Sequence, residues 1–428
     1  MTALILIIFI IGYAAIALEH PIRLNKAASA IITGVLCWTV YISYGESAEH
    51  INEELIDHLG EISGILFFLL GAMTIVELID AHDGFDVITG FITTKKKSKL
   101  LWIVCILTFF LSAALDNLTT AIVMVSLVSK IIKDKSTRLL FCGMIVIAAN
   151  AGGAWSPIGD VTTTMLWIGG QISVTKIVIT TILPSLACLA APLLLLSARM
   201  KGNLERVDKN GNGSKKPYVH SKDRKVVFWL GVSCLIMVPV FKTLTHLPPF
   251  MGMLLALGIM WVITEVLNSD KDTSDKDFLS VLYALRKIDA SSILFFLGIL
   301  ISVAALQSIG VLGNMAQWLD TTFKNEKIIV SVIGVLSAIV DNVPLVAAAM
   351  GMYGMEQYPA DHSFWLFLAY CAGTGGSLLI IGSAAGVAAM GIEKIEFFWY
   401  LRKIGWLALV GYLAGIAVFL LQQQLFGV

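Results

Sequence analysis

The sequence has few charged residues and no charge imbalance. Only 14% of its 428 residues are charged, and 30 Lys and Arg balance 30 Asp and Glu, which gives a formal net charge of zero. A disordered chain combines low hydrophobicity with a charge imbalance, and a nucleic-acid-binding protein normally carries a basic excess. Both classes are therefore excluded, and no nucleic-acid partner is expected.

Paired cysteines, clustered metal ligands and an ATP-binding motif are also absent. The six cysteines are scattered singly through apolar stretches without C-x-x-C spacing, which is typical of small buried residues. No G-x-x-x-x-G-K-[ST] motif occurs, and no segment is large enough for a soluble catalytic domain, so neither an enzyme nor a cofactor is expected. The N-terminus lacks a basic region and a cleavage site before Glu19, and we predict that it is a retained first span.

Hydrophobic residues are abundant, at 57% of the chain, and the mean hydropathy is +0.84. Soluble domains are about 45–50% apolar and about 25% charged, so the composition predicts an all-α polytopic membrane protein. Runs long enough to cross a hydrocarbon core of about 30 Å recur along the chain. We predict about ten full spans, near residues 2–18, 27–44, 62–80, 139–168, 174–197, 226–243, 250–267, 290–306, 363–391 and 403–426.

Two further apolar stretches, 100–129 and 328–355, are predicted to be re-entrant hairpins. Each carries an Asp-Asn pair at its middle, Asp116-Asn117 in the first and Asp341-Asn342 in the second. Lysines flank the first stretch on both sides, so the positive-inside rule places both of its ends in the cytoplasm and the chain must turn back. Non-helical backbone at such a tip is tolerated where protein or a wet cavity surrounds it.

The charged segments between spans predict the orientation. Residues 45–61 contain six acids and no Lys or Arg, as an external loop can, whereas residues 199–225 contain nine basic and three acidic residues and are expected in the cytoplasm. If the N-terminus is placed outside and the spans are followed in order, every loop agrees with the positive-inside rule. In this arrangement the second hairpin opens to the outside.

Short segments recur in the two halves of the chain at an offset of 223 to 228 residues. The matched segments are Ile65 to Leu69 with Ile293 to Leu297, the two Asp-Asn pairs, Gly152-Gly153 with Gly375-Gly376, and Gly159 with Gly382. We predict a first repeat at 1–198, a cytoplasmic loop at 199–225 and a second repeat at 226–428. Because the hairpins open to opposite sides, the repeats are predicted to be inverted, an architecture of many secondary transporters.

Two of the predicted spans, 139–168 and 363–391, contain helix-breaking residues at their middle. Residues 150–164 carry three glycines and Pro157, and residues 373–386 carry five glycines. Interrupted helices free carbonyl groups, which together with hydroxyls and carboxylates are oxygen ligands suited to Na⁺, Ca²⁺ or Mg²⁺. The breaks are therefore candidate cation sites.

Three acids, Asp116, Asp160 and Asp341, lie at these hairpins and breaks. An ionisable residue near the bilayer centre costs about 2.5–3.5 kcal/mol on insertion scales, which makes each a functional candidate. The alternative is that each only caps a half-helix. The nearby Asn117, Thr119, Asn150, Thr162 to Thr164 and Asn342 are equally explained as structural hydrogen-bond formers. Glu77 and Glu265 lie toward span ends and are interpreted as structural.

Several strings resemble the NhaD-type sodium:proton antiporters of bacteria, and the resemblance covers essentially the whole chain. The strings are Leu18 to Lys26, Leu115 to Ala121, Asn150 to Asp160 with the threonines that follow, and Asp341 to Leu345. The resemblance implies inverted repeats, two re-entrant hairpins, helices broken at mid-membrane, a homodimeric scaffold, elevator-type movement and a bacterial cytoplasmic membrane.

The resemblance also implies which residues carry transport. These are Ser112, Asp116, Asn117, Thr119, Asn150, Asp160, Thr162 and Thr163 in the first half, and Ser337, Asp341, Asn342 and Ser377 in the second. Asp116, Asn117 and Asp160 are the expected Na⁺ ligands. Asp160 has only Ser383 opposite it in the second half, so the first half is expected to hold the stronger cation site.

The resulting hypothesis is exchange of cytoplasmic Na⁺, and also Li⁺, for external H⁺, which extrudes sodium and maintains intracellular pH. Two acids close together in low dielectric cannot both stay ionised without a cation, so Asp116 and Asp160 would bind either Na⁺ or H⁺.

A sodium-coupled symporter of a carboxylate is the alternative, although few basic residues are available at mid-membrane. An intramembrane aspartyl protease would carry Gly-x-Gly-Asp where this chain has Pro157 to Asp160, and neither a protease nor a channel needs an inverted repeat.

Overall fold

The computed structural model describes residues 1–17, 19–45, 47–89, 94–204, 219–339 and 341–426, and within them the chain forms helices and no β-strand. Leu18 of the first predicted span, Glu46 of the acidic segment and residues 205–218 of the predicted cytoplasmic loop lie outside the described residues. The all-helical fold expected of a polytopic membrane protein is confirmed.

Ten helices form in the described residues of the first half. They are α1 (Thr2–Ala17), α2 (Glu19–Ile22), α3 (Lys26–Tyr44), α4 (Ala48–Ala81), α5 (Asp86–Thr89), α6 (Lys97–Leu115), α7 (Asn117–Ile131), α8 (Lys135–Gly153), α9 (Val161–Ile168) and α10 (Val174–Arg199).

The described part of the second half forms twelve α-helices, with a π-helical turn at Leu401–Gly405 before the last. They are α11 (Ser221–Thr245), α12 (Pro249–Leu267), α13 (Thr273–Phe278), α14 (Val281–Lys287), α15 (Ala290–Ser308), α16 (Val311–Phe323), α17 (Glu326–Leu336), α18 (Asn342–Met352), α19 (Ser363–Gly375), α20 (Ala384–Glu393), α21 (Phe397–Tyr400) and α22 (Trp406–Phe426).

Among the described residues, nine helices are long and apolar enough to cross a membrane. Eight of them coincide with predicted spans, and the ninth is α6, the first arm of the predicted hairpin. The other two predicted spans have shorter helices, because α1 has only 16 residues and because the span at 363–391 is divided into α19 and α20.

The acidic segment 45–61 is not a loop, contrary to the sequence-based expectation. Residues 48–61 form the first turns of α4, which continues for 34 residues. Ser47 caps this helix by accepting a hydrogen bond from the His50 backbone N–H at 3.4 Å, and Glu49 lies in its first turn. Acidic residues favour a helix N-terminus because they face the positive end of its dipole. The helix therefore begins well before its apolar part.

The first predicted hairpin folds back at Asp116. The arms α6 and α7 pack against each other and against α8. At the open end, the Lys97 ammonium donates to the Thr137 hydroxyl at 3.4 Å, so the start of α6 lies beside the start of α8, just after the end of α7. Asp116 itself has φ 139° and ψ 164°, a backbone region that is strained for any residue except glycine.

The second hairpin, α17 and α18, opens at the opposite face of the protein. The loop after α18 is fixed to the start of α10, where the Asp361 carboxylate accepts from the Ser173 backbone N–H at 2.6 Å. The chain after the other end of α10 pairs with the first hairpin, since the Leu204 N–H donates to the Lys95 carbonyl at 2.8 Å. These two faces are about 39 Å apart, the length of the 26-residue α10.

The helices pack as two groups. The core group comprises both hairpins (α6, α7, α17, α18), the broken pairs α8/α9 and α19/α20, and α10 and α22. The flanking group comprises α1, α3, α4, α11, α12 and α15. Every residue from Phe141 to Gly153 and from Phe364 to Gly375 is buried, so α8 and α19 form the centre of the core group.

Glycines allow the hairpin arms to touch the broken helices. A Cβ added to Gly152 would collide with the Phe109 carbonyl, and one added to Gly375 would collide with the Gly334 carbonyl. Both obstacles are backbone atoms, which cannot move aside without shifting a helix.

We therefore expect Gly375→Ala to lower the thermal midpoint of the detergent-solubilised protein by several degrees, measured as loss of the monodisperse chromatographic peak after heating. Overpacking typically costs about 1–3 kcal/mol. Gly258→Ala in α12 is the matched control, because its Cβ meets no atom within 4 Å and alanine is the better helix former. Equal midpoints for the two variants would contradict the close packing at Gly375.

Candidate functional site

Four half-helices, α7, α9, α18 and α20, begin at the hairpin tips and helix breaks. Their N-caps are Asp116, Asp160, Asp341 and Ser383, which accept backbone N–H groups at 2.7, 2.9, 3.3 and 3.2 Å respectively. All three predicted acids thus act as helix caps, as the structural alternative requires. Asp160 does more than cap a helix, because its second carboxylate oxygen accepts hydrogen bonds from other helices.

Asp160 is the centre of that network and is 1% exposed. Its Oδ1 accepts from the Thr162 N–H and hydroxyl at 2.9 and 2.8 Å, and its Oδ2 accepts from the Asn117 amide. The Asn342 amide lies 3.4 and 3.5 Å from the two carboxylate oxygens. Residues from α7, α9 and α18 therefore meet at one carboxylate, and within the described residues no Lys, Arg or His forms an ion pair with it.

Asn150 connects this carboxylate to the second half of the chain. Its Oδ1 accepts from the Asn117 amide at 3.1 Å, and its own amide donates to the hydroxyls of Ser377 and Ser383, each at 2.9 Å. Asn150 is fully buried in α8. Its amide therefore joins the two helix breaks, and a cation at Asp160 would be linked to both halves.

The remaining predicted residues support this centre without joining it. The Ser112 hydroxyl donates to the Ala149 carbonyl at 2.6 Å, and the Ser337 hydroxyl makes the matching bond to the Ala372 carbonyl at 3.1 Å. These bonds fix each hairpin arm to a broken helix. The Thr163 hydroxyl similarly donates to the Asp160 carbonyl at 2.8 Å.

The three predicted Na⁺ ligands are brought together only in part. Asn117 contacts Asp160, whereas the Asp116 carboxylate accepts both the backbone N–H and the hydroxyl of Thr119, at 2.7 and 2.8 Å. Asp116 and Asp341 are nevertheless near enough to Asp160 to interact with it electrostatically. In the part of the chain that the structure describes, no three His, Cys, Asp or Glu side chains cluster as a metal site.

Ser383 is a member of the centre that the sequence analysis did not include among the transport residues. The available signal was its position opposite Asp160 in the repeat, where it supplies a hydroxyl instead of a carboxylate. The chemical difference between the two breaks is therefore real, and the carboxylate of the centre comes from the first half alone.

A cavity of about 1160 Å³ leads from one face of the protein to this centre. It reaches Thr119, Asp341 and Ser383, and its lining continues to Lys130 at the end of α7, so it opens at the face where the first hairpin opens. The lining of the cavity carries excess negative charge, with seven carboxylates and three lysines. Glu77 is one of these carboxylates, whereas Glu265 is exposed on α12 and lies outside the cavity. A lining with excess negative charge concentrates cations.

Comparison with known proteins places this site in context. A family model described as citrate transporter matches residues 2–373. The chain is 50% identical over 420 residues to "Sodium/proton antiporter 1" of Arabidopsis thaliana, covering 98% of this chain and 72% of that protein. It is 47% identical to "Sodium/proton antiporter 2" of the same plant, covering 97% and 98%, and 32% identical to "Na(+)/H(+) antiporter NhaD" of Alkalimonas amylolytica, covering 96% and 89%.

Proposed function

The chain belongs to the citrate-transporter family and to the NhaD-type sodium/proton antiporters, and from this premise we propose that it exchanges Na⁺ for H⁺ across a membrane at Asp160. The observation that carries the proposal is the buried Asp160 carboxylate, which has amide and hydroxyl partners and no basic partner among the described residues. A buried charge of this kind requires neutralisation. Na⁺ and H⁺ would each supply it, and competition between them for one carboxylate would couple their opposite movements.

The direction of exchange is proposed from the charge flanking the first hairpin. Lysines flank the open end of the first hairpin, so the positive-inside rule assigns this face to the cytoplasm and the N-terminus to the outside. The acid-lined cavity opens at the same face and would admit cytoplasmic Na⁺. External H⁺ would then displace it, giving sodium extrusion and pH homeostasis. Li⁺, a smaller monovalent cation that also prefers oxygen ligands, is proposed as a second substrate.

The proposed movement is of elevator type, in which the core group shifts against the flanking group. Support comes from the opposite openings of the two hairpins and from matched contacts at the repeat offset, such as Ser112 with Ala149 and Ser337 with Ala372. We accordingly propose inverted repeats at 1–198 and 226–428, joined by the cytoplasmic segment 199–225. A homodimer and a bacterial cytoplasmic membrane remain predictions, and the relatives named above include plant and bacterial proteins.

Sodium-coupled symport of a carboxylate is the second candidate. The citrate-transporter match and the four half-helix N-termini favour it, because helix N-termini attract anions. The carboxylate-rich cavity lining argues against it, since a di- or tricarboxylate would be repelled on entry.

Everted membrane vesicles containing the protein should separate the two functions. Respiration acidifies the vesicle lumen, and we expect added Na⁺ or Li⁺ to dissipate the ΔpH, measured by acridine orange fluorescence, while K⁺ at equal concentration does not. Citrate uptake by proteoliposomes should be unaffected by Na⁺. Uptake that requires Na⁺, together with an unchanged ΔpH, would instead establish symport.

A further inference from the structure

Lys26 is the basic residue that pairs with a hairpin-tip acid in the described structure. Its ammonium lies 3.5 Å from the Asp341 carboxylate, and the two side chains are 27% and 20% exposed. Lys26 begins α3 in the flanking group, whereas Asp341 caps α18 in the core group. Both residues line the cavity that leads to the polar centre. The ion pair therefore joins the two helix groups at the inner end of the entry route.

The ammonium is held in place by the flanking group. It lies 4.4 Å from the ring centroid of Phe295, a buried residue of α15, in a cation–π contact. The Lys26 backbone N–H donates to the Glu19 carboxylate at 3.2 Å. Asn25, which caps α3, accepts from the Ser291 hydroxyl at 3.1 Å. These contacts from α2, α3 and α15 position the charge before any ion arrives.

The matching acid of the first hairpin has a different environment. Asp116 uses both carboxylate oxygens on Thr119, and it forms no ion pair with a described Lys or Arg. Asp341 makes one longer capping bond, 3.3 Å to the Val343 N–H, and has an ammonium beside it. One hairpin acid thus carries its counter-charge within the chain, and the other does not.

We infer that Lys26 is a resident counter-ion of Asp341, so that the second hairpin binds no transported cation in the cavity-open state and Na⁺ binds at the Asp160 centre alone. This inference rests on the proposed exchange function. Lys26 is a positioning residue, because it acts on the transported ion through Asp341. Its positive charge also weakens Na⁺ binding nearby, which helps the ion to leave the site.

The test is the Na⁺ dependence of exchange in proteoliposomes, compared among the wild type, Lys26→Gln, Lys26→Arg and the double variant Lys26→Gln/Asp341→Asn. Lys26→Gln leaves the Asp341 charge unpaired beside the centre, so we expect the KM for Na⁺ to fall about 3- to 10-fold, with a lower maximum rate because release slows. Lys26→Arg keeps the positive charge and should keep the wild-type KM. The double variant removes both charges and should return the KM to within about twofold of the wild type.

The outcomes distinguish a failure of this inference from a failure of the proposed Na⁺/H⁺ exchange. If the wild type shows no Na⁺-dependent exchange, the proposed function itself is wrong. If the wild type exchanges and Lys26→Gln lowers only the maximum rate, with the KM unchanged, the ion pair is a packing contact and the inference is overturned. Should Lys26→Gln fail to fold, Asp341→Asn leaves the Lys26 charge unpaired near the centre and should raise the KM for Na⁺ about 3- to 10-fold; a wild-type KM in Asp341→Asn would overturn the inference.

Discussion

Asp160→Asn is expected to reduce Na⁺/H⁺ exchange by about 100-fold or more while leaving the protein folded. Asparagine caps a helix as well as aspartate does, so the start of α9 should be preserved. The neutral amide also removes a buried charge, and the thermal midpoint should stay unchanged or rise. Transport is expected to fail because an amide neither takes up a proton nor neutralises Na⁺, and losing a buried charged partner typically costs 2–5 kcal/mol.

The matched control is Asp134→Asn. Asp134 caps α8 by accepting from the Thr137 N–H at 2.9 Å, as Asp160 caps α9, but it lies in the loop before α8. Its hydrogen bonds to Thr137 and Ser136 hold its pKa well below the usual range, so it is a charged cap at neutral pH. Both variants make the same chemical change at a helix cap, and only Asp160→Asn should lose ΔpH dissipation. Wild-type exchange by Asp160→Asn would show that the residue is only a cap.

Asp116→Gly is expected to reduce exchange by about 100-fold without lowering stability. Glycine adopts the backbone conformation at φ 139° freely, whereas a non-glycine residue there is strained by about 1–3 kcal/mol. Relief of this strain stabilises the folded protein. It offsets the loss of the helix cap, typically about 1 kcal/mol, and the greater flexibility of glycine in the unfolded chain, about 0.5–1 kcal/mol. The thermal midpoint should therefore stay within a few degrees of the wild type. Exchange should fall about 100-fold, because a carboxylate near Asp160 is lost.

Two companion variants separate the backbone role of Asp116 from its charge. Asp116→Ala keeps the strain and loses the cap, so it should melt below Asp116→Gly. Asp116→Asn keeps a capping oxygen for the Thr119 N–H and loses only the charge. If the charge is required, Asp116→Asn is inactive in the ΔpH assay; if it is active at the wild-type rate, Asp116 only shapes the hairpin tip.

The hairpins and helix breaks were predictable from local features. Lysines on both sides of residues 100–129 indicated a segment that turns back, and the chain reverses at Asp116, in the middle of that segment. Glycines and Pro157 marked the breaks because they weaken helical hydrogen bonding, and α8 and α19 end at Gly153 and Gly375. The length of α4 was not predicted, because six acids suggest a loop when counted by charge alone, although Ser47 and Glu49 favour a helix N-terminus there.

The sequence by itself determined that the chain is an all-helical membrane protein, where its helices break and which acids lie at the hairpin tips and breaks, because hydropathy, glycine and charge act over short stretches of chain. Only the tertiary structure decided which polar residues contact each acid. It placed Asn117, Asn150 and Asn342 around Asp160, added Ser383, and gave Asp341 a counter-ion in Lys26. These contacts join residues tens to hundreds of positions apart, and they depend on how helices pack, which no local pattern records.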